Sequence, residues 1–129
     1  MNYLLDSCSL LWLSGNPRHL SGKVRAAVRQ PDATLYASPV SAWELGIKAA
    51  KKKLNLPKRV SEWFSEVCRR YALTEIPLTA LVAAKSTELP KIHADPFDRL
   101  LVATALELRL IMLTPDSYIP QYPGIQTLW

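Results

Sequence analysis

Residues 95–116, DPFDRLLVATALELRLIMLTPD, narrow most sharply what this chain can fold into. The segment opens on an aspartate and a proline and continues with apolar residues at helical spacing. It then becomes a short apolar run that ends near a second aspartate. Asp95-Pro96 suits a helix N-cap followed by proline at the first helical position. The spacing predicts a helix to Leu108 and a buried strand over 110–113. In a parallel α/β fold, strand ends and the helix starts that follow them line one edge of the sheet. Two acids distant in sequence are thus expected in one cleft. Asp6, closing the apolar run YLLD, is a third in the same setting.

The rest of the chain supports that topology. Residues 2–6 read as a short buried strand and 7–13 as a helix. Ser21 N-caps a second helix with Val24, Ala27 and Val28 on one face. Residues 33–37 read as a strand. Ser38-Pro39 starts a helix with Val40, Trp43, Ile47 and Ala50 on one stripe and a lysine run at its end. Val60, Trp63, Phe64, Val67, Cys68 and Tyr71 fit another helix, followed by a strand over 72–76 and a short helix over 79–87. An edge strand is expected near 125–128. This alternation predicts an α/β fold with a parallel sheet covered by helices. At 129 residues and 49% hydrophobic, the sequence suits one domain, 1–129, with a proper core.

Composition excludes several classes. Two cysteines, Cys8 and Cys68, with no C-x-x-C, make neither a disulfide framework nor a zinc site. The N-terminus lacks a basic region before its apolar run, and no apolar stretch is long enough for a bilayer. A reduced cytoplasmic setting without membrane association is expected. The net charge of +5 favours polyanionic partners in general.

Each carboxylate has an ordinary reading beside a functional one. Asp98 falls on the wheel among Leu101, Val102 and Ala105, whereas Arg99 and Glu107 mark the solvent side. A charge in an apolar sector needs a partner or a metal; alternatively Asp98 is a first-turn acid complementing the helix dipole. Asp6 could simply cap the next helix, with Ser7 and Ser9 assisting, and Asp116 could be a turn residue. Glu44 could close a capping box with Ser41, or pair with Lys48 four residues on. The set is more specific than its members. Two bare carboxylates about 4 Å apart repel by about 4 kcal/mol at an effective dielectric of 20. If the four converge, some are protonated or a divalent cation holds them, and hard oxygen donors select Mg²⁺ or Mn²⁺ over zinc.

These residues, in this order, resemble the PIN-domain nucleases, and specifically the VapC-type toxins of bacterial toxin–antitoxin pairs. The resemblance is carried by LLDSCSLLWL, SPVSAWELGIK, HADPFDRLLVATA, the LTPD strand end and the closing Tyr122, Leu128 and Trp129. It implies a three-layer α/β/α sandwich and a Mg²⁺-dependent endoribonuclease, with Mn²⁺ as substitute, hydrolysing RNA by a metal-activated water. Asp6, Glu44, Asp98 and Asp116 match the family's catalytic, metal-binding acids; Ser7 and Thr114 match its supporting hydroxyls. Cys8 departs from the histidine that the subfamily often shows, and Pro115 stiffens the last turn. The resemblance also implies an antitoxin partner and a homodimer.

Lys48, Lys51, Lys52 and Lys53 form the densest basic patch. They read either as a solvated helix end or as a rim that draws RNA towards the acids. His93 and His19 read as structural or exposed, and Cys8 as packing. Trp12, Trp43, Trp63 and Trp129 are assigned to core or interface. A receiver-like signalling module is disfavoured, because residues 45–94 contain no aspartate where its phosphoacceptor belongs. A degenerate PIN-like scaffold that binds RNA or protein without turnover is the alternative that metal-dependent cleavage would distinguish.

Overall fold

The computed structural model describes residues 1–129. Its strands are β1 (Asn2–Leu5), β2 (Thr34–Ala37), β3 (Leu73–Glu75), β4 (Ile111–Leu113) and β5 (Gln126–Leu128). They form one sheet in the order β3-β2-β1-β4-β5. Every neighbouring pair is parallel. The helices are α1 (Ser7–Gly15), α2 (Gly22–Val28), α3 (Pro39–Ala50), α4 (Val60–Arg70), α5 (Ala80–Glu88) and α6 (Pro96–Leu108).

Alternation along the central strands builds the three layers. Tyr3 and Leu5 join one hydrophobic cluster with Leu10, Leu13, Val24, Trp63, Phe64 and Val67 from α1, α2 and α4. Leu4 and Met112, pointing the other way, pack with Leu101, Val102 and Ala105 of α6. The α/β/α sandwich with a parallel sheet is therefore as expected. No helix is long and apolar enough to cross a membrane.

Predicted caps form as read. Ser21 accepts from the N–H of Val24, Ser38 from Val40 and Asp95 from Phe97. The α3 stripe differs from the expectation. Its buried residues are Val40, Ser41, Glu44 and Leu45, whereas Trp43 is 56% exposed. The helix lies along the seam between the two cores, sending Val40 to one and Leu45 to the other, and so buries a different face. Trp43 instead meets Phe97 edge-to-face, with ring centroids 4.9 Å apart. The capping box at Ser41 and Glu44 does not form, because α3 already begins at Pro39.

This topology fixes where a site can be. From β1 the chain moves to β2 and β3 on one side, then crosses to β4 on the other. The direction reverses between β1 and β4, and such a reversal opens a crevice beyond the carboxyl ends of the strands. Leu5 pairs with Leu113 there. The crevice is therefore flanked by the residues immediately after each strand, Asp6 and Thr114.

Candidate active site

Asp6 leaves β1 and caps α1, its Oδ1 accepting the Ser9 N–H at 2.8 Å. The Ser9 hydroxyl in turn donates to the Leu113 carbonyl at 2.8 Å, locking the cap to β4. The ordinary reading of Asp6 is thus correct, and it also places the carboxylate over the crevice. Burial raises the Asp6 pKa, with hydrogen bonds from Thr114 and Ser9 opposing the rise. Thr114 Oγ1 also accepts the N–H of Asp116 at 3.1 Å, so one hydroxyl ties the first acid to the last.

Glu44 is buried on α3. The Ser7 hydroxyl donates to its Oε1 at 2.6 Å and lies 3.0 Å from the Ser41 hydroxyl. Lys48 Nζ meets Oε2 at 3.1 Å, the expected pair. The Lys48 pKa rises although its partial burial opposes the charge, because Glu44 holds the ammonium.

Asp98, in the first turn of α6, is half-buried. Burial first, then the charge of Asp95, pushes its pKa up to about 7. Asp116 sits in the turn after β4, where its Oδ1 accepts the N–H groups of Tyr118 and Ile119 at 2.7 and 3.3 Å. Burial opposes its ionisation, but His93 and these backbone donors outweigh it and hold Asp116 below the usual carboxylate range. Both aspartates meet one imidazole: His93 Nε2 is hydrogen-bonded to Asp116 Oδ2 at 2.9 Å and lies 3.2 Å from Asp98 Oδ2. Their opposite shifts follow, since the proton favours the acid with fewer donors.

All four acids line one cleft of about 250 Å³, together with Asp95, Ser7, Cys8 and Lys48. Another hollow, of about 310 Å³ between Leu13, Leu20, Val28 and Tyr71, contains no acid, so the chemistry belongs to the first. Five carboxylates face one lysine in that cleft, an imbalance that a cation resolves. The donors are hard oxygens, and Asp98 Oδ1 takes no hydrogen bond from the protein, so the set fits Mg²⁺ or Mn²⁺.

Three readings need correction. His93, assigned to structure or solvent, contacts two of the acids. Arg99, placed on the solvent side, donates to the Leu89 and Pro90 carbonyls at 2.9 Å and holds the loop carrying His93. Cys8, read as packing, is exposed at the cleft, its thiol pushed up by local burial and by Asp6. The lysine patch keeps both of its readings: Lys48 reaches the cleft, and Lys51, Lys52 and Lys53 are exposed on the turn beyond α3. His93 had a sequence signal: it lies two residues before the α6 cap, within reach of that helix start.

The family model described as PIN domain matches residues 3–125. The chain is 30% identical over 129 residues to Ribonuclease VapC22 of Mycobacterium tuberculosis, covering 98% of this chain and 97% of that protein. Its fold is similar to that in VapBC2 from Rickettsia felis bound to a promoter DNA fragment, with a TM-score of 0.71, 14% identity and coverage of 100% and 99%. DNA-bound VapBC from Salmonella typhimurium is also similar, with a TM-score of 0.65, 16% identity and coverage of 99% and 97%. The PIN-domain match spans both strand ends that carry Asp6 and Asp116 and the helix that carries Asp98, so the chain belongs to the PIN-domain family, with a VapC-type relative along its whole length.

Proposed function

We propose that residues 1–129 form one PIN-like nuclease domain, a Mg²⁺-dependent endoribonuclease acting as the toxin of a toxin–antitoxin pair. The observation that carries this reading is the meeting of Asp6, Glu44, Asp98 and Asp116 in one cleft at the sheet's switch point. Asp6 and Asp98 would hold the ion directly, with Glu44 and Asp116 binding through water or helping to hold a second ion. When bound, Mg²⁺ or Mn²⁺ supplies charge for the phosphate oxygens and acidifies a water for attack on phosphorus. Ser7 and Thr114 orient the acids by the bonds described above. Lys48 at the cleft, and Lys51, Lys52 and Lys53 beyond it, attract the RNA backbone.

The ribonuclease VapC22 relative supports RNA as the substrate, and the similar VapBC structures support a cognate antitoxin as partner. A homodimer belongs to the same reading, with exposed Trp43 and Leu81 as apolar surface for it. The reading carries no membrane partner and a cytoplasmic site of action. Cleavage of RNA should require Mg²⁺ and disappear in Asp98→Asn. Equal rates for the two proteins would sink the assignment, and RNA binding without Mg²⁺-dependent turnover would make the domain a scaffold.

A further inference from the structure

His93, on the segment between α5 and α6, lies beside the cleft and touches two of the acids that line it. Its Nδ1 accepts the backbone N–H of Asp95 at 3.1 Å. Accepting requires a lone pair, so the ring proton of the neutral imidazole sits on Nε2. That same nitrogen faces Asp116 Oδ2 at 2.9 Å and Asp98 Oδ2 at 3.2 Å. One atom from each of the three side chains lies within 4.8 Å of the others, the spacing of a mixed nitrogen–oxygen metal site. The tautomer argues against that use. An imidazole that ligates a metal offers the ion a bare nitrogen and donates N–H from its other side. Here the far nitrogen is already an acceptor.

We infer that His93 is a positioning residue and not a ligand: its Nε2–H bridges Asp98 and Asp116 and sets the spacing of the two carboxylates. The inference rests on the metal-nuclease reading above. Asp116 is anchored by the Tyr118 and Ile119 N–H groups and hydrogen-bonded to this imidazole, whereas the nearest polar side chain of the opposite sign to Asp98 is the same imidazole, its Nε2 3.2 Å from Oδ2. With Asp116 held by its own backbone donors, the imidazole acts on Asp98 through the Oδ2 contact. The imidazole is held in turn. The His93 N–H donates to the Tyr122 hydroxyl at 2.9 Å. Arg99 grips the Leu89 and Pro90 carbonyls just before it. The Tyr118 ring packs against the imidazole, with centroids 5.4 Å apart. A side chain clamped at its backbone, its far nitrogen and its face is suited to holding another group still.

Two measurements on the full chain test this. In ¹⁵N spectra of the histidine rings, the Nε2–H pattern of His93 should persist at saturating Mg²⁺; conversion to an Nδ1–H ring with a metal-shifted Nε2 would overturn the inference. In calorimetric titrations with Mg²⁺ alone, His93→Ala should weaken binding about 10- to 100-fold. His93→Gln, which keeps an amide N–H near the same place, should stay within about threefold of wild type, on the same principle that the donor and not the ring matters. An unchanged His93→Ala titration refutes the bridge alone, as does equal weakening in both variants. Wild-type protein that binds no Mg²⁺ refutes the metal reading together with the bridge.

Discussion

Removing the Asp98 charge should strengthen the metal-free fold while disabling the site. Burial, with Asp95 next, lifts the Asp98 pKa from 3.8 to about 7. A carboxyl that holds its proton more tightly when folded contributes stability that is complete below about pH 4. That contribution falls as pH rises towards 7 and is gone above it. The interval spans about three pH units at about 1.4 kcal/mol each, or about 4 kcal/mol between the two extremes. Asparagine fits the same space without charge, though losing the contact between His93 and a charged oxygen offsets about 1 kcal/mol of the gain. In urea unfolding with chelator present, Asp98→Asn should therefore exceed wild type by about 3 kcal/mol at pH 8 and match it within about 1 kcal/mol near pH 4. Saturating Mg²⁺ should stabilise wild type far more than the variant, because only wild type binds it tightly. A variant less stable than wild type at pH 8 without metal would refute the reasoning. It would make Asp98 an ordinary first-turn acid that gains from the helix dipole.

Three other predictions separate structural from functional roles. Asp6→Asn keeps an acceptor for Ser9, so it should be at least as stable as wild type; Asp6→Ala should fall about 1 kcal/mol below Asp6→Asn. Both should lose Mg²⁺-dependent cleavage. Replacing Lys51, Lys52 and Lys53 by alanine should lower the slope of log affinity for single-stranded RNA against log salt by about 2, since each phosphate contact contributes about 0.7. An unchanged slope would leave those lysines as a solvated helix end. Trp63→Ala should cost about 3–5 kcal/mol by emptying core space, whereas Trp43→Ala should cost under about 1 kcal/mol. Comparable losses in denaturant titrations would restore Trp43 to the core.

The fold was legible where the chain states its own local chemistry. Ser38-Pro39 and Asp95-Pro96 announce helix starts, and the apolar runs before Asp6 and near Asp116 announce strand ends. The acids could be grouped because a parallel sheet brings those ends to one edge. Trp43 misled because hydrophobicity marks a buried stripe only when one side of a helix is covered, and α3 straddles two cores. Glu44 is buried in its place because Ser7, Ser41 and Lys48 gather around it. His93 and Arg99 were misread for a different reason. Their partners, Asp116 and the carbonyls of residues 89 and 90, become neighbours only after α6 docks, so the position of His93 before the α6 cap places it near that helix start without naming what it touches.

The pairing of β1 with β4 also has a consequence for biosynthesis. Ser9 and Leu113, joined by a hydrogen bond beneath the cleft, stand 104 residues apart. The first acid thus leaves the ribosome long before the strand that completes its surroundings. Contacts this distant in sequence form late, after the chain entropy of a long loop has been overcome. A nascent chain halted before β4 lacks both the central sheet partner of β1 and Asp116, whatever helices it has already made. On the proposed function, the site that would cut RNA stays incomplete until β4 and the turn carrying Asp116 have been made.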